Sequence, residues 1–439
     1  MEPWDVVIIG GGILGTSVSY WIGNQYEGRV AVLEKEQDVA EHTSRRNTGV
    51  VHRPFYLDPV KRRIFARSSQ AAYGMWKSYA KERNLPWSPV TTLEVATRPE
   101  DMKRVEKYYD WGLQNGMSED ELQILTAEEV RKLEPHVRGY GAIWSKTDTS
   151  VDYHAFTQSL RADAETEGIK FLTGIEVGSL KVSGDLVEIR PTRNGTEPIR
   201  TRFLINCAGG SSLRIAHMLQ LGTEFCDLNF RGEYWQIGSE WTYLANRNIY
   251  TVAQHPELPF LDPHWIVRAD GRREIGPNAV PVAGPYTYRG FFRSPAEAVR
   301  KILEQPVANK LALLHNRDFL ELASQEWLSS ISKSEMARRA QEFIPELRPG
   351  FLVKPGIAGV RAQVIDSRGN FIKEAVELEG LCSYHITNYN SPGATGSPAY
   401  AAWLVAKLDG AGYFDHLDRA SSPVKSIWDF KTVRDVIGT

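Results

Sequence analysis

Four apolar residues in succession, Val6 to Ile9, open the hydrophobic pattern of the chain. A run without alternation suits a parallel strand buried on both faces. Gly10, Gly12 and Gly15 follow at once as G-x-G-x-x-G, and the apolar stretch 13–22 predicts the helix behind them. In that order the first glycine permits a tight turn, the second admits a pyrophosphate close to the backbone, and the third lets helix and strand pack. Residues 29–33 repeat the buried pattern and lead to Glu34, 24 residues beyond Gly10, near the place where an acid binds a ribose. Strand, glycine loop, helix, second strand and acid together predict a dinucleotide site on a helix N-terminus.

The later pattern alternates between helical and extended periods. Residues 62–83 place Ile64, Ala71, Ala72, Met75, Trp76 and Tyr79 on one helical face. Strands are predicted over 91–96 and 141–144, with helices over 99–115 and from a Thr126–Glu129 capping box onward. A helix over 152–166 precedes strands at 170–172, 175–177 and 186–190. The stretch 201–206 is a second buried strand running into glycines, with a helix expected over 212–221. Extended segments at 233–237, 248–252, 265–268 and 273–275 follow, the last two joined by the Asp270-Gly271 hairpin turn. Residues 294–343 read as two or three helices broken at Pro306 and Asp318. Strands over 355–365 and 381–388 then lead through a glycine turn to a final apolar helix over 397–408.

Dinucleotide-type elements thus recur at the start, middle and end. The predicted fold class is α/β with an α+β second domain: a discontinuous Rossmann-like domain (1–85, 145–225 and 355–415) and an inserted mixed sheet with helices (86–144 and 226–354, helical over 294–343). Residues 416–439 form a C-terminal tail, expected to pack on the surface. The 439 residues are 42% hydrophobic and 24% charged, ordinary values for a globular protein. With 52 Lys and Arg against 54 Asp and Glu, the net charge of −2 points to no nucleic-acid partner. No apolar run approaches about 18 residues, so no membrane span is expected. The three cysteines, Cys207, Cys226 and Cys382, show no metal spacing and suit a reducing compartment. The expected location is the cytoplasm, with peripheral contact on the inner membrane face as a variant.

The N-terminal fingerprint, Asn206-Cys-Ala-Gly-Gly210 and Gly356-Ile-Ala-Gly-Val-Arg361 resemble the D-amino-acid-oxidase-type FAD oxidoreductases. Asn47-Thr-Gly-Val-Val-His52, Phe230-Arg-Gly-Glu-Tyr234, Gly276-Pro-Asn-Ala-Val280, Gly359-Val-Arg-Ala-Gln363 and the 388–396 turn are similar to the L-2-hydroxyglutarate oxidase/dehydrogenase branch. The resemblance implies FAD, held by Gly10, Gly12, Ile13, Leu14, Gly15, Glu34 and Lys35, with Thr43, Ser44, Asn47 and Gly49 along the pyrophosphate and ribityl chain. Val177 would meet the adenine, Ala208 and Gly209 would line the cofactor, and Gly393, Ala394, Thr395 and Gly396 would bring a helix N-terminus to the flavin, whose reduced form gathers negative charge there. Arg361 belongs to both the cofactor and the substrate side.

The reaction implied is oxidation of an L-2-hydroxy acid, with hydride passing to flavin N5 while a base takes the hydroxyl proton. His52 and His264 match motif histidines as candidate bases, His264 slightly preferred, and His385 matches a third. Arg361 is the first choice to grip the substrate carboxylate with two bonds, and Arg231 the second, with a structural pair to Glu233 or Glu274 as its equal alternative. Tyr56, Tyr234 and Asn278 are candidate polar walls. Departures from the branch cluster here: Arg45-Arg46 stand where it usually has Gly-His, and Arg53-Pro54 where it has a small residue and Gly, so Arg53 is a candidate second cation. A glycerol-3-phosphate dehydrogenase relative, an amine-oxidising enzyme and a flavin electron-transfer subunit remain alternatives. The partners implied are a small anionic substrate and an electron acceptor: oxygen, a quinone or an electron-transfer protein.

Overall fold

The computed structural model of the chain describes residues 2–193, 195, 197–255, 258, 262–313, 315–420 and 426–438. The apolar run becomes the strand Trp4–Ile9 near the centre of a mixed sheet. Its order is Lys170–Leu172, Val30–Leu33, Trp4–Ile9, Ile199–Asn206, Leu186–Pro191, Val177–Ser183, with Ser383–Thr387 joining the far half of Ile199–Asn206 and Val376–Gly380 outside it. The three pairings among the first four strands are parallel, as is that with Ser383–Thr387. Gly10 turns the chain at φ +107°, and a Cβ there would lie 2.5 Å from the Cys207 carbonyl oxygen, so the two strand-to-helix turns meet at this residue. The helix Ile13–Gln25 is buried on nearly all sides against the helices Tyr153–Thr166 and Gly393–Gly410, which is why its apolar pattern carries no polar face.

A second sheet runs Leu352–Pro355, Trp235–Ile237, Arg273–Gly276, His264–Val267, Asn248–Thr251, Thr92–Ala96, Gly141–Ser145, Leu122–Thr126. Leu93, Val95, Ile249, Trp265 and Ile275 on one of its faces pack against Met336, Ala337, Ala340 and Phe343. Its other face turns toward the first domain. A small third sheet places Cys226–Gly232 between Val280–Val282 and Gly359–Ile365.

The structure alters several expected boundaries. The described residues of 294–343 form four helices, Pro295–Leu303, Val307–Leu313, Arg317–Ile331 and Lys333–Ala340. Pro306 is a break, but the third helix starts ahead of Asp318 because Asn316 caps it by accepting from the Phe319 amide, and Ser332 ends one helix while capping the next. The 355–365 segment splits in two. Its longer part, Gly359–Ile365, pairs with Cys226–Gly232 in the inserted region instead of entering the first sheet. The 212–221 helix stops at His217, the 175–177 strand begins only at Val177, and the last long helix starts at Gly393, four residues before the expected 397.

The tail packs on the body of the molecule as expected, with one residue inserted deeply. Residues 421–425 and Thr439 lie outside the described residues, but Trp428 is buried among Tyr20, Trp21, Trp76 and Tyr79, and its indole N–H donates to the Met75 carbonyl at 3.0 Å. The helix Phe430–Gly438 then packs on Gly393–Gly410 and Arg63–Glu82. Trp428→Ala is therefore expected to lower unfolding stability by about 3–5 kcal/mol, read as a shift in urea midpoint; a change below about 1 kcal/mol would show the tail to be dispensable.

Candidate active site

Strand register assembles the floor of the site. Glu94 lies opposite Tyr250 on one side and Ile143 on the other, and His264 opposite Gly276. The pairing of Ile249 with Trp265 brings Tyr250 level with His264. Residues in one such row share a face, so Glu94, Tyr250 and His264 point the same way, opposite to the Leu93–Trp265 core. The His264 and Tyr250 rings are 4.0 Å apart at 31°. A Cβ at Gly276 would lie 3.0 Å from the Tyr234 ring and nearer still to the Glu233 carbonyl, so glycine there lets Tyr234 close the row.

His52 reaches this floor from the first domain, directly after the strand Val50–Val51. Its ring stands edge-on to Tyr250 at 5.6 Å and to Tyr56 at 6.1 Å. Its Nδ1 is 3.2 Å from Asp148 Oδ2, and the fully buried Asp148 also accepts from the Arg53 amide and the Ser145 hydroxyl. A carboxylate only accepts, so Nδ1 carries a hydrogen, and in the neutral ring Nε2 is the nitrogen with the free lone pair. The His52 amide donates to Thr395 Oγ1 at 3.1 Å, fixing the base candidate to the first turn of the Gly393–Gly410 helix. His264 is different. Burial, with the His52, Arg339 and Arg361 charges adding to it, pushes its pKa down to about 3, and its Nδ1 has no partner among the described residues.

Arg361 lies beside Phe230 in the small sheet. Among the described residues its guanidinium makes no ion pair and no hydrogen bond, and burial lowers its pKa while the neighbouring Tyr234 and Tyr56 oppose that shift and Arg62 adds to it. The other candidates are committed elsewhere. Arg231, one position past Arg361's partner and so on the opposite strand face, is bound to Glu233 at 2.8 Å and to the Gly290 carbonyl. Asn278 holds the same Glu233 with its amide, 2.8 Å on each side. Arg53 spends both terminal nitrogens on Glu121, Thr147 and Gln70 beneath Tyr73, with only its buried Nε left without a partner among the described residues, and its pairing with Glu121 removes it as a free second cation. His385 sits inside the first sheet, with Nδ1 2.9 Å from Asn206 and Nε2 3.0 Å from Ser383, and burial pushes it down to about 4. Tyr234 and Tyr56 alone of the expected wall residues adjoin Arg361.

The residues expected to hold the cofactor gather around the glycine loop in part only. Glu34 is nearly buried and receives the Gly11 and Glu36 amides at 2.8 and 2.9 Å, while burial raises its pKa. Ser44 Oγ accepts from the Ile13 amide, leaving its own hydrogen to donate. Thr43 donates instead to the Val360 carbonyl, and Asn47 binds the Thr43 and Ser44 carbonyls and the Gly49 amide, so these two shape the loop. The Val177 end of its strand lies next to Glu34, whose carbonyl receives the Ile175 amide. Among the described residues the N-cap positions Gly12 and Pro392 give no side-chain cap to the helices starting at Ile13 and Gly393, neither first turn holds an acid, and a Cβ on Gly209 would meet no atom within 4 Å. Two helix N-termini free of acids, the first with only the Ser44 hydroxyl on its Ile13 amide, and open space beside Gly209 suit a long anionic cofactor. Segment 284–290 crosses this edge: Tyr288 and Glu36 both bind His42, the Tyr286 hydroxyl meets Ser211, and the Lys35 ammonium sits 3.6 Å over the Tyr286 ring.

A family model described as DAO, FAD dependent oxidoreductase, matches residues 5–408. The chain belongs to the DAO family of FAD-dependent oxidoreductases. It is 30% identical over 433 residues to the mitochondrial L-2-hydroxyglutarate dehydrogenase of Homo sapiens, covering 93% of this chain and 89% of that protein. The L-2-hydroxyglutarate dehydrogenase of Escherichia coli is 30% identical over 406 residues, covering 92% and 93%. The L-alpha-glycerophosphate oxidase of Mycoplasma pneumoniae shares the fold, with a TM-score of 0.73, 20% identity and coverage of 96% and 97%. The α/β architecture and the FAD cofactor expected from the sequence hold for this family member. Asp148, Tyr250 and Glu94 escaped the sequence reading. Only Glu94 left a signal, an acid inside the apolar strand Thr92–Ala96.

Both buried histidines are held neutral, and this sets an acid limit. Their folded pKa values, about 3 and about 4, lie below the ordinary 6.5, so the unfolded chain binds more protons below pH 6.5 and stability falls as pH falls. His264→Gln should flatten the decline relative to wild type between pH 6.5 and about 4, by up to about 1.4 kcal/mol per pH unit, in denaturant titrations. Parallel curves would show His264 to be protonated in the fold.

Proposed function

We propose that this enzyme oxidises an L-2-hydroxy acid, foremost L-2-hydroxyglutarate, to the corresponding 2-oxo acid. The observation that carries the reading is an unpaired, partly buried guanidinium, Arg361, within electrostatic reach of a histidine floor that also feels His52. Arg361 is suited to grip the substrate carboxylate with two hydrogen bonds, Tyr234 and Tyr56 walling it. His52, oriented by Asp148, takes the hydroxyl proton on Nε2. His264, desolvated and neutral, serves as a hydrogen-bonding wall rather than the base, which reverses the initial preference. The names of the curated relatives support the substrate class.

FAD, when bound, supplies the two-electron acceptor. Gly10, Gly12, Ile13, Leu14 and Gly15 would carry its pyrophosphate with Ser44, Glu34 its ribose, and Ala208, Gly209 and residues 393–396 its flavin end. The substrate is a small anion, and the final electron acceptor is oxygen, a quinone or an electron-transfer protein. Among the described residues no helix is long and apolar enough to cross a membrane. A cytoplasmic setting, or else a peripheral one at the inner membrane face, is our inference from composition and cysteine usage.

Anaerobic L-2-hydroxyglutarate should bleach the visible flavin absorbance of the purified enzyme. Bleaching by glycerol 3-phosphate alone would favour a glycerophosphate-oxidising reading, and by an amine an amine-oxidising one; a flavin reduced by none of them would mark an electron-transfer subunit. Arg361→Lys should raise KM roughly tenfold or more with FAD retained; unchanged kinetics would remove Arg361 from the carboxylate. Asp148→Asn should lower kcat by about 100-fold or more through loss of the His52 tautomer, whereas His264→Gln should leave the pH dependence of kcat in place. A pH profile abolished by His264→Gln instead would return the base role to His264.

A further inference from the structure

Glu94 is a nearly buried acid in the middle of a strand, on the face that carries Tyr250 and His264. Among the described residues it has no hydrogen-bond partner and no cation at ion-pair distance. A buried carboxyl without a partner is costly, and this one is on the row with Tyr250 and His264 and within electrostatic reach of Tyr56. We propose that Glu94 is a substrate-binding residue of this site, donating a hydrogen bond from its carboxyl to a second carboxylate at the substrate end remote from Arg361. The inference rests on the 2-hydroxy-acid reading and narrows it to diacids.

The surroundings decide which partner fits. Facing Glu94 are Asp148 from the 146–148 turn, Arg104 and Tyr108 from the helix Met102–Gln114, Tyr56 from the short Pro54–Tyr56 turn, and Tyr250 from the adjoining strand. Burial, reinforced by Asp148 and opposed by Arg104, pushes the Glu94 pKa up to about 8. At neutral pH it therefore keeps its proton and is a donor, and the strongest acceptor for a carboxyl donor is an anion. Arg104 adds positive charge on the same side. An ammonium group would instead need Glu94 ionised, against its burial and the neighbouring Asp148.

The test is calorimetric titration of the FAD-loaded enzyme with 2-oxoglutarate and 2-oxopentanoate, which differ only in the distal carboxylate. Wild type should favour 2-oxoglutarate, and that affinity should fall from about pH 7 to about pH 9 as Glu94 loses its proton. Glu94→Leu should weaken 2-oxoglutarate by roughly tenfold or more and collapse the preference. Glu94→Gln, which keeps an uncharged donor, should weaken it by only about threefold and remove the pH response. Glu94→Leu that keeps the preference overturns the assignment, as does an affinity that rises with pH and is lost equally in both variants. Wild type that binds neither acid, and is not bleached by L-2-hydroxyglutarate, overturns the underlying reading and this inference with it. Flavin absorbance and thermal melting of each variant establish that it is folded.

Discussion

The carboxylate of Asp148 is the interaction on which the site depends. It is fully buried and satisfied by three donors of different origin: a strand-end hydroxyl from Ser145, the Arg53 main chain and the His52 ring. A buried charge without those donors would be prohibitive. The satisfied one therefore dictates where the loop after Val51 lies and which nitrogen of His52 is free. Because Asp148 follows the Gly141–Ser145 strand of the inserted sheet, and His52 follows a strand of the first domain tied to the Gly393–Gly410 helix through Thr395, one carboxylate registers the two domains against each other.

The inserted sheet is divided by the same economy of water. One face is a dry aliphatic and aromatic core. The other bears Glu94, Tyr250 and His264 in a row with few partners of their own. All three ionisable members of that row are kept uncharged by desolvation: the imidazole by losing its proton, the carboxyl and the phenol by retaining theirs. Among the described residues Arg361 has neither an ion pair nor a hydrogen bond, and its isolation is informative because Arg231 and Arg53, equally basic in sequence, are each surrounded by acceptors.

Much of the fold was readable because buried parallel strands and glycine turns leave continuous local patterns. Val6–Ile9, 29–33 and 201–206 all became strands of one sheet, and Glu34 took its place beside the Gly11 amide. Boundaries set by capping were less visible. Asn316 and Ser332 act through single hydrogen bonds that no hydrophobic period reveals, and Gly359–Ile365 took a partner more than a hundred residues away. The site divided in the same manner. His52, His264 and Arg361 stood in recognisable motifs, yet which arginine was free depended on Glu233, Glu121 and Asn278, contacts made only in three dimensions. Asp148 lies in a short polar turn with nothing local to mark it.

The 284–290 crossing gives the inserted region a hold on the nucleotide edge. Tyr288 and Tyr286 are anchored there by His42 and Ser211, and Lys35, directly after Glu34, is covered by the Tyr286 ring. The rim beside Glu34 is thus built from two distant parts of the chain, and the tyrosines of the later one stand against the residue that follows the acid.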